Sequence, residues 1–364
     1  MPQTRVFFCS ALILCLSACQ KQPQHTFDEQ PRQAKTPVMS FSCDQISQTI
    51  QSINNHSTVQ ALQEVNFRLK QCLPKLNMSE RTTLLYASTA MYQRFLAADR
   101  TPKQQMVFEQ YAQNTNMYPT LQQEHINEFS PRDRYLIEHQ GQAFYELYDA
   151  NGRTMYRRQP QYLKEIFAPY LPPAEQIFIN HLAEQNQQPI FSRNTFNLTW
   201  SEIANRAQFW EHYAHQYPNS LFVEDAQRLK FAYIHFLFHG LPSMPVSNLY
   251  EGEDNINPEA LIEIKMLSEE PHSQIAKKAQ KFLQFLHISE HERDQRIPVE
   301  LSPAEQRADT KEIIMESKQL DQFIGLNDPL AVDSTHINRD CFSDAICITH
   351  VGNVANKLPS KQQF

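Results

Sequence analysis

The sequence predicts a mainly α-helical fold: helical hairpins stacked as a solenoid-like array, with one small β-hairpin. Three observations predict it. Only 6 of the 364 residues are glycine, while helix formers such as Leu, Ala, Gln, Glu and Lys are plentiful. Apolar residues recur at three- and four-residue spacing in one segment after another. Many of these segments open on Ser, Thr or Asn with Pro or Glu close behind, the pattern of a capped helix start. Hydrophobic residues make up 41% and charged residues 20% of the chain, enough to build a packed core.

Taken in order, residues 1–18 form a leader. Arg5 supplies a positive charge, residues 6–16 are nearly all apolar, and Ser17 and Ala18 are small. A run of about eleven apolar residues is too short to span a bilayer and reads as a secretory signal. Residues 19–41 are polar, hold three prolines and show no periodicity. They read as a flexible tether of roughly 25 Å average span.

Leu16-Ser17-Ala18-Cys19 resembles the lipobox of bacterial lipoproteins. The resemblance implies lipid transfer to the Cys19 thiol, cleavage before it and acylation of the new amine, with palmitate as the class of chain. Several acyl chains on one residue hold stably, at roughly 0.8 kcal/mol per buried methylene. Gln20 rather than Asp follows Cys19. By resemblance to the sorting of such proteins, this implies the periplasmic face of the outer membrane in a Gram-negative envelope, with the bilayer as a partner.

An N-terminal helical part is expected over 42–142. Cys43, Ile46, Ile50 and Ile53 share one helical face; Val59, Leu62, Val65, Leu69 and Cys72 share another. If these two helices pair antiparallel, Cys43 meets Cys72 within disulfide reach. A third helix is expected from a Ser79 cap to Asp99, a fourth behind Thr101-Pro102, and a fifth behind Ser130-Pro131, ending near Gly141. Residues 143–170 form an aromatic insert. Two aromatic and β-branched runs flank Asn151-Gly152, which accepts the positive φ angles of a two-residue hairpin turn. Residues 171–324 return to helices, capped at Thr199, Ser220, Asn257, Ser273 and Ser302. Residues 325–364 read as a loop-like tail in which Cys341 and Cys347 close a small ring. With Cys9 and Cys15 in the leader and Cys19 lipidated, four cysteines remain, as two disulfides in an oxidising compartment.

Two stretches of 171–324 align. Pro218-Asn219-Ser220 and Pro271-His272-Ser273 are each followed by an alanine (Ala226, Ala279), a glutamine and a basic residue. Each marks a helix end, a cap and a close helix contact. They resemble the helix-turn-helix units of tetratricopeptide-like envelope lipoproteins, which implies stacked helices that bind other envelope proteins.

The chemistry is narrower. The six glycines are scattered, so no phosphate-cradling loop or G-x-S-x-G elbow exists. A formal charge of -7 argues against nucleic acid as a partner. His287-Ile288-Ser289-Glu290-His291 matches H-x-x-E-H; on one helix His287 and His291 would bind zinc and Glu290 would activate water, giving a periplasmic hydrolase as an alternative. His212 with His215, and His235 with His239 at i and i+4, are further histidine pairs with the residue type for metal. Tyr145, Tyr148, Tyr156, Arg157 and Arg158 of the hairpin form the candidate contact face, for a partner protein or a glycan. The leading expectation is a lipid-anchored interaction or scaffold module without catalysis or cofactor.

Overall fold

The computed structural model describes residues 42–113, 119–150, 153–188, 190–192, 195–241, 243–326 and 339–349. The leader, Cys19, the tether and the Asn151-Gly152 turn lie outside the described residues. Fourteen α-helices and four two-stranded antiparallel sheets are present among them, so the chain is mainly helical with a few small strand pairs.

The first part is α1 (Ile46–Ser52), α2 (Val59–Cys72) and α3 (Met78–Phe95). A single 3₁₀ turn, Cys43–Gln45, leads into α1 and places Cys43 beside the end of α2. The Cys43–Cys72 disulfide forms there, with Cα atoms 5.5 Å apart. The α3 cap is Asn77 rather than Ser79. Its side chain accepts from the Glu80 N–H, and Glu80 accepts from the Asn77 N–H, so both orphan donors are satisfied two residues earlier than expected. Next come α4 (Pro102–Gln113), α5 (Pro119–Glu128) and α6 (Pro131–Glu138). Helix α5 has no counterpart in the sequence reading, because Leu121 and Ile126 are its only large aliphatic residues and make no stripe. Ser130 caps α6 as expected, accepting from Asp133 N–H at 3.1 Å.

Strands β1 (Tyr145–Ala150) and β2 (Arg153–Arg158) form the expected hairpin, with Tyr145 opposite Arg158 and Leu147 opposite Tyr156. The segment after it is core, not insert. Helix α7 (Gln161–Ile166) buries Tyr162, Leu163 and Ile166, and α8 (Pro173–Gln185) buries Phe178, Ile179 and Leu182. Three further strand pairs have only two residues per strand: β3 (Phe191–Ser192) with β4 (Thr195–Phe196), β5 (Gly240–Leu241) with β6 (Met244–Pro245), and β7 (Arg339–Asp340) with β8 (Ile348–Thr349). Pairs this short carry no periodicity. The β5–β6 turn depends on Gly240 at φ +76°, where a β-carbon would collide with the Met244 carbonyl.

Helices α9 (Trp200–Gln216) and α10 (Val223–His239) form one hairpin, α11 (Pro258–Ser268) and α12 (Gln274–Phe285) another. The aligned alanines, Ala226 and Ala279, are both fully buried. Ser273 caps α12 by accepting from the Ala276 N–H, but the expected Ser220 cap is not formed, because α10 begins two residues later behind Phe222. Both Pro-x-Ser turns are nevertheless held by a carboxylate. Glu175 of α8 accepts from Ser220 Oγ and Leu221 N–H, and Glu211 of α9 accepts from Ser273 Oγ and the N–H groups of Gln274 and Ile275. A carboxylate from one helix thus closes the start of a later one, where the helix dipole favours negative charge. Trp210 of α9 is fully buried, 5.1 Å from the Phe178 ring of α8.

Helices α13 (Glu290–Arg296) and α14 (Lys311–Ile324) complete the set. Ser302 and Glu305 exchange capping bonds as expected, but open only the 3₁₀ turn Glu305–Arg307; α14 begins at Lys311.

The Cys43–Cys72 bridge closes a loop 29 residues apart in sequence. Removing it as C43S/C72S is expected to lower unfolding stability by about 3–4 kcal/mol on chain-entropy grounds, read as a lower urea midpoint with unchanged far-ultraviolet dichroism.

Candidate functional site at the hairpin and the C-terminal ring

The five residues marked as a contact face do come together, but four of them face inward and Tyr148 is half-buried. Tyr145, Tyr156, Arg157 and Arg158 are all buried, Arg158 at 4% exposure. The hydroxyl of Tyr145 donates to the Leu136 carbonyl and that of Tyr156 to the Asp133 carbonyl. Consecutive strand residues point to opposite faces, and at this end of β2 both faces are covered. The expectation of a solvent-facing partner or glycan surface is therefore corrected: the hairpin's aromatic and cationic groups are used within the fold.

Tyr145 and Tyr156 pack against Phe95 and Phe108, while the disulfide ring Cys341–Cys347 lies against Tyr148, Arg157 and Arg158. The sequence reading made 325–364 a loop-like tail. Of the ring, Cys341, Ser343, Asp344, Ala345, Ile346 and Cys347 are buried. Arg158 Nε and Nη2 donate to Asp344 Oδ2 at 3.0 and 2.8 Å. Nη1 donates to Ser88 Oγ at 3.1 Å, and Nη2 donates also to Thr89 Oγ1 at 3.0 Å, both on α3. Asp344 Oδ1 accepts from the Ala345 N–H at 2.7 Å. The guanidinium also stands 4.9 Å from the Tyr162 ring centroid. Burial pushes the Asp344 carboxyl above its usual range, and Arg158 pulls it back.

Arg157 works on the opposite face. It pairs with Glu146 at 2.7 Å, lies 4.2 Å from the Tyr148 ring centroid, and donates to the carbonyls of Asn186 at 2.9 Å and Ser343 at 3.3 Å. Tyr148 donates to the Phe342 carbonyl at 3.3 Å, and burial pushes its phenol up to about 12, so it stays a donor at neutral pH. Asn186, just past α8, donates to the carbonyls of Cys341 at 2.9 Å and Asp344 at 2.6 Å. Phe342 packs against Tyr233 and Phe236 of α10. Arg339 pairs with Asp225 of α10 at 2.8 Å. The ring thus joins the hairpin, α3, α8 and α10. Sequence reasoning missed Ser88, Thr89, Asn186 and Asp344. One signal was available: Phe342, Ala345 and Ile346 make the ring too apolar for a solvated tail.

The H-x-x-E-H arrangement is also corrected. Helix α12 ends at Phe285, and Ser289 caps α13 by accepting from the Glu292 N–H. His287 therefore lies between two helices while His291 lies within α13, and the one-face geometry that zinc would need is not formed. Both are exposed. Among the described residues no group of three or more His, Cys, Asp or Glu is placed to hold a metal ion.

The His235–His239 pair is more enclosed than the His287–His291 pair. His239 Nε2 is 2.7 Å from Asp321 Oδ1 of α14, and its Nδ1 faces Ser317 Oγ at 3.2 Å and Tyr250 Oη at 3.3 Å. The His235 ring lies 4.6 Å from that of His239. Burial, helped by the charge His239 can carry, lowers His235 to about 4. A separate cleft of about 420 Å³ opens where the starts of α2 and α6 meet the end of α3. At its floor Arg132 donates to the Ser57 carbonyl and Tyr135 accepts from the Val59 N–H, so these groups secure helix ends.

Comparison with known families, curated proteins and solved structures finds no match to this chain. No helix among the described residues is long and apolar enough to cross a membrane.

His235 sets a pH dependence. Its folded value lies below its free value near 6.5. The neutral ring's contribution is therefore complete above about pH 6.5 and is lost as pH falls toward 4. The expected result is a drop in melting temperature across that window, with a shallower slope in H235N, measured by thermal denaturation at half-unit pH steps.

Proposed function

We propose that this chain is a lipid-anchored periplasmic lipoprotein that serves the cell envelope as a protein-interaction or scaffold module built on stacked helical hairpins. The observation that supports the reading best is the pairing of Cys43 with Cys72 and of Cys341 with Cys347. Disulfides persist in oxidising compartments, and the lipobox-like Leu16-Ser17-Ala18-Cys19 is the matching address. The repeated use of a glutamate to close a later helix, Glu175 and then Glu211, favours a stacked array over an irregular bundle. Ile262 and Met266, one turn apart on α11 and 57% and 62% exposed, give the array an apolar outer patch. Such a patch is a natural point of contact.

A photo-crosslinking residue at Ile262, in the full chain at native expression, is expected to capture discrete envelope partners. The same residue at exposed Gln71 is expected to capture far less. C19A is expected to lose palmitate labelling and to leave the membrane fraction. A C19A chain that stays acylated, or equal crosslinking at both positions, would contradict the reading.

A further inference from the structure

We propose that the Cys341–Cys347 ring is a redox latch on the arginine socket of the hairpin, opened by a dithiol reductant. The two cysteines are 6 residues apart, and between them lie the acceptors the socket uses. These are the Ser343 carbonyl for Arg157, the Asp344 carboxylate for Arg158 and the Asp344 carbonyl for Asn186. All three sit on two adjacent residues of a loop tied at both ends. In the open chain those residues would have to be ordered one by one, at the cost of their backbone freedom. The closed ring carries much of that ordering already. Chain-entropy scaling for a loop of this length corresponds to roughly 50-fold in the ratio of docked to undocked ring.

Linkage makes the effect mutual. If the disulfide favours docking by a given factor, docking favours the disulfide by the same factor. The burial pattern adds a kinetic gate. Cys341 and Cys347 are only 5% and 2% exposed, so an attacking thiolate reaches either sulfur only when the ring has lifted. The chemistry is ordinary thiol–disulfide exchange. One thiolate of the reductant attacks a ring sulfur, forming a mixed disulfide and expelling the other ring sulfur as a thiolate, which takes up a proton. The second thiol of the reductant then displaces the remaining ring sulfur and passes on its proton. The ring gains two electrons and two protons, and the reductant leaves as its own disulfide. Arg157, Arg158 and Asn186 are then uncovered, which turns an internal contact into a cationic surface at the hairpin.

Cys43–Cys72 provides the internal control. It touches none of the socket residues, and Cys43 is part-exposed without any lifting of the ring.

The test uses the full chain with dithiothreitol as reductant in native buffer, each disulfide followed separately by alkylation and mass spectrometry. D344N keeps the side-chain shape and touches neither sulfur. It is expected to speed reduction of Cys341–Cys347 about tenfold while leaving Cys43–Cys72 unchanged. In parallel, C341S/C347S is expected to raise amide exchange of residues 342–347 by about 50-fold, with exchange in α9 and α12 unaltered. Equal Cys341–Cys347 reduction rates in D344N and the parent chain would overturn the latch. So would unchanged exchange of 342–347 in C341S/C347S, or a parallel rise at both disulfides, which would mark global opening.

Discussion

The buried ion pair between Arg158 and Asp344 is the constraint on which the arrangement of this chain turns. Taking two ions out of water costs several kcal/mol each, and their mutual attraction offsets this only when the remaining donors and acceptors are also satisfied. Here they are met on every side. Arg158 is bonded to Ser88 and Thr89 as well as to Asp344, and Asp344 also accepts from the Ala345 N–H. Removing one partner of such a pair leaves a buried charge uncompensated, whereas replacing both by apolar groups is often neutral. Through this pair the last described stretch of the chain is held against residues more than 180 positions earlier.

Elsewhere the helices are held by apolar packing and by carboxylates that close helix starts. Phe178, Trp210 and Phe222 pack together between α8, α9 and the start of α10. Glu175 of α8 and Glu211 of α9 accept from backbone N–H groups at the starts of later helices. The two disulfides act at opposite ends of the chain, one tying α1 to α2 and the other shaping the ring.

Much of the helical layout was readable because it rests on local physics. Thr199, Asn257 and Ser273 cap where their residue type says they should, since a cap needs only its own helix. The hairpin was readable for the same reason, and Cys43–Cys72 followed from two amphipathic stripes. Failures fell where the deciding partner is distant in sequence. Arg157 and Arg158 read as surface cations because Glu146, Ser88, Thr89 and Asp344 are set by the fold and not by spacing. The burial of the Cys341–Cys347 ring was not readable because it depends on a socket set by distant residues. His287 and His291 misled in the other direction: their spacing fits one helix, but the Ser289 cap starts a new one between them.

The central claim is that the C-terminal ring belongs to the core through Arg158 and Asp344. A double-mutant cycle with R158M, D344L and the combined variant tests it most directly, with stability measured by urea denaturation. Each single change leaves one buried charge alone and is expected to cost about 3–5 kcal/mol. The combined variant, which buries neither charge, is expected to cost less than either single change, a coupling of several kcal/mol. Additive effects of the two changes would mean that the two side chains do not meet, and would contradict the account.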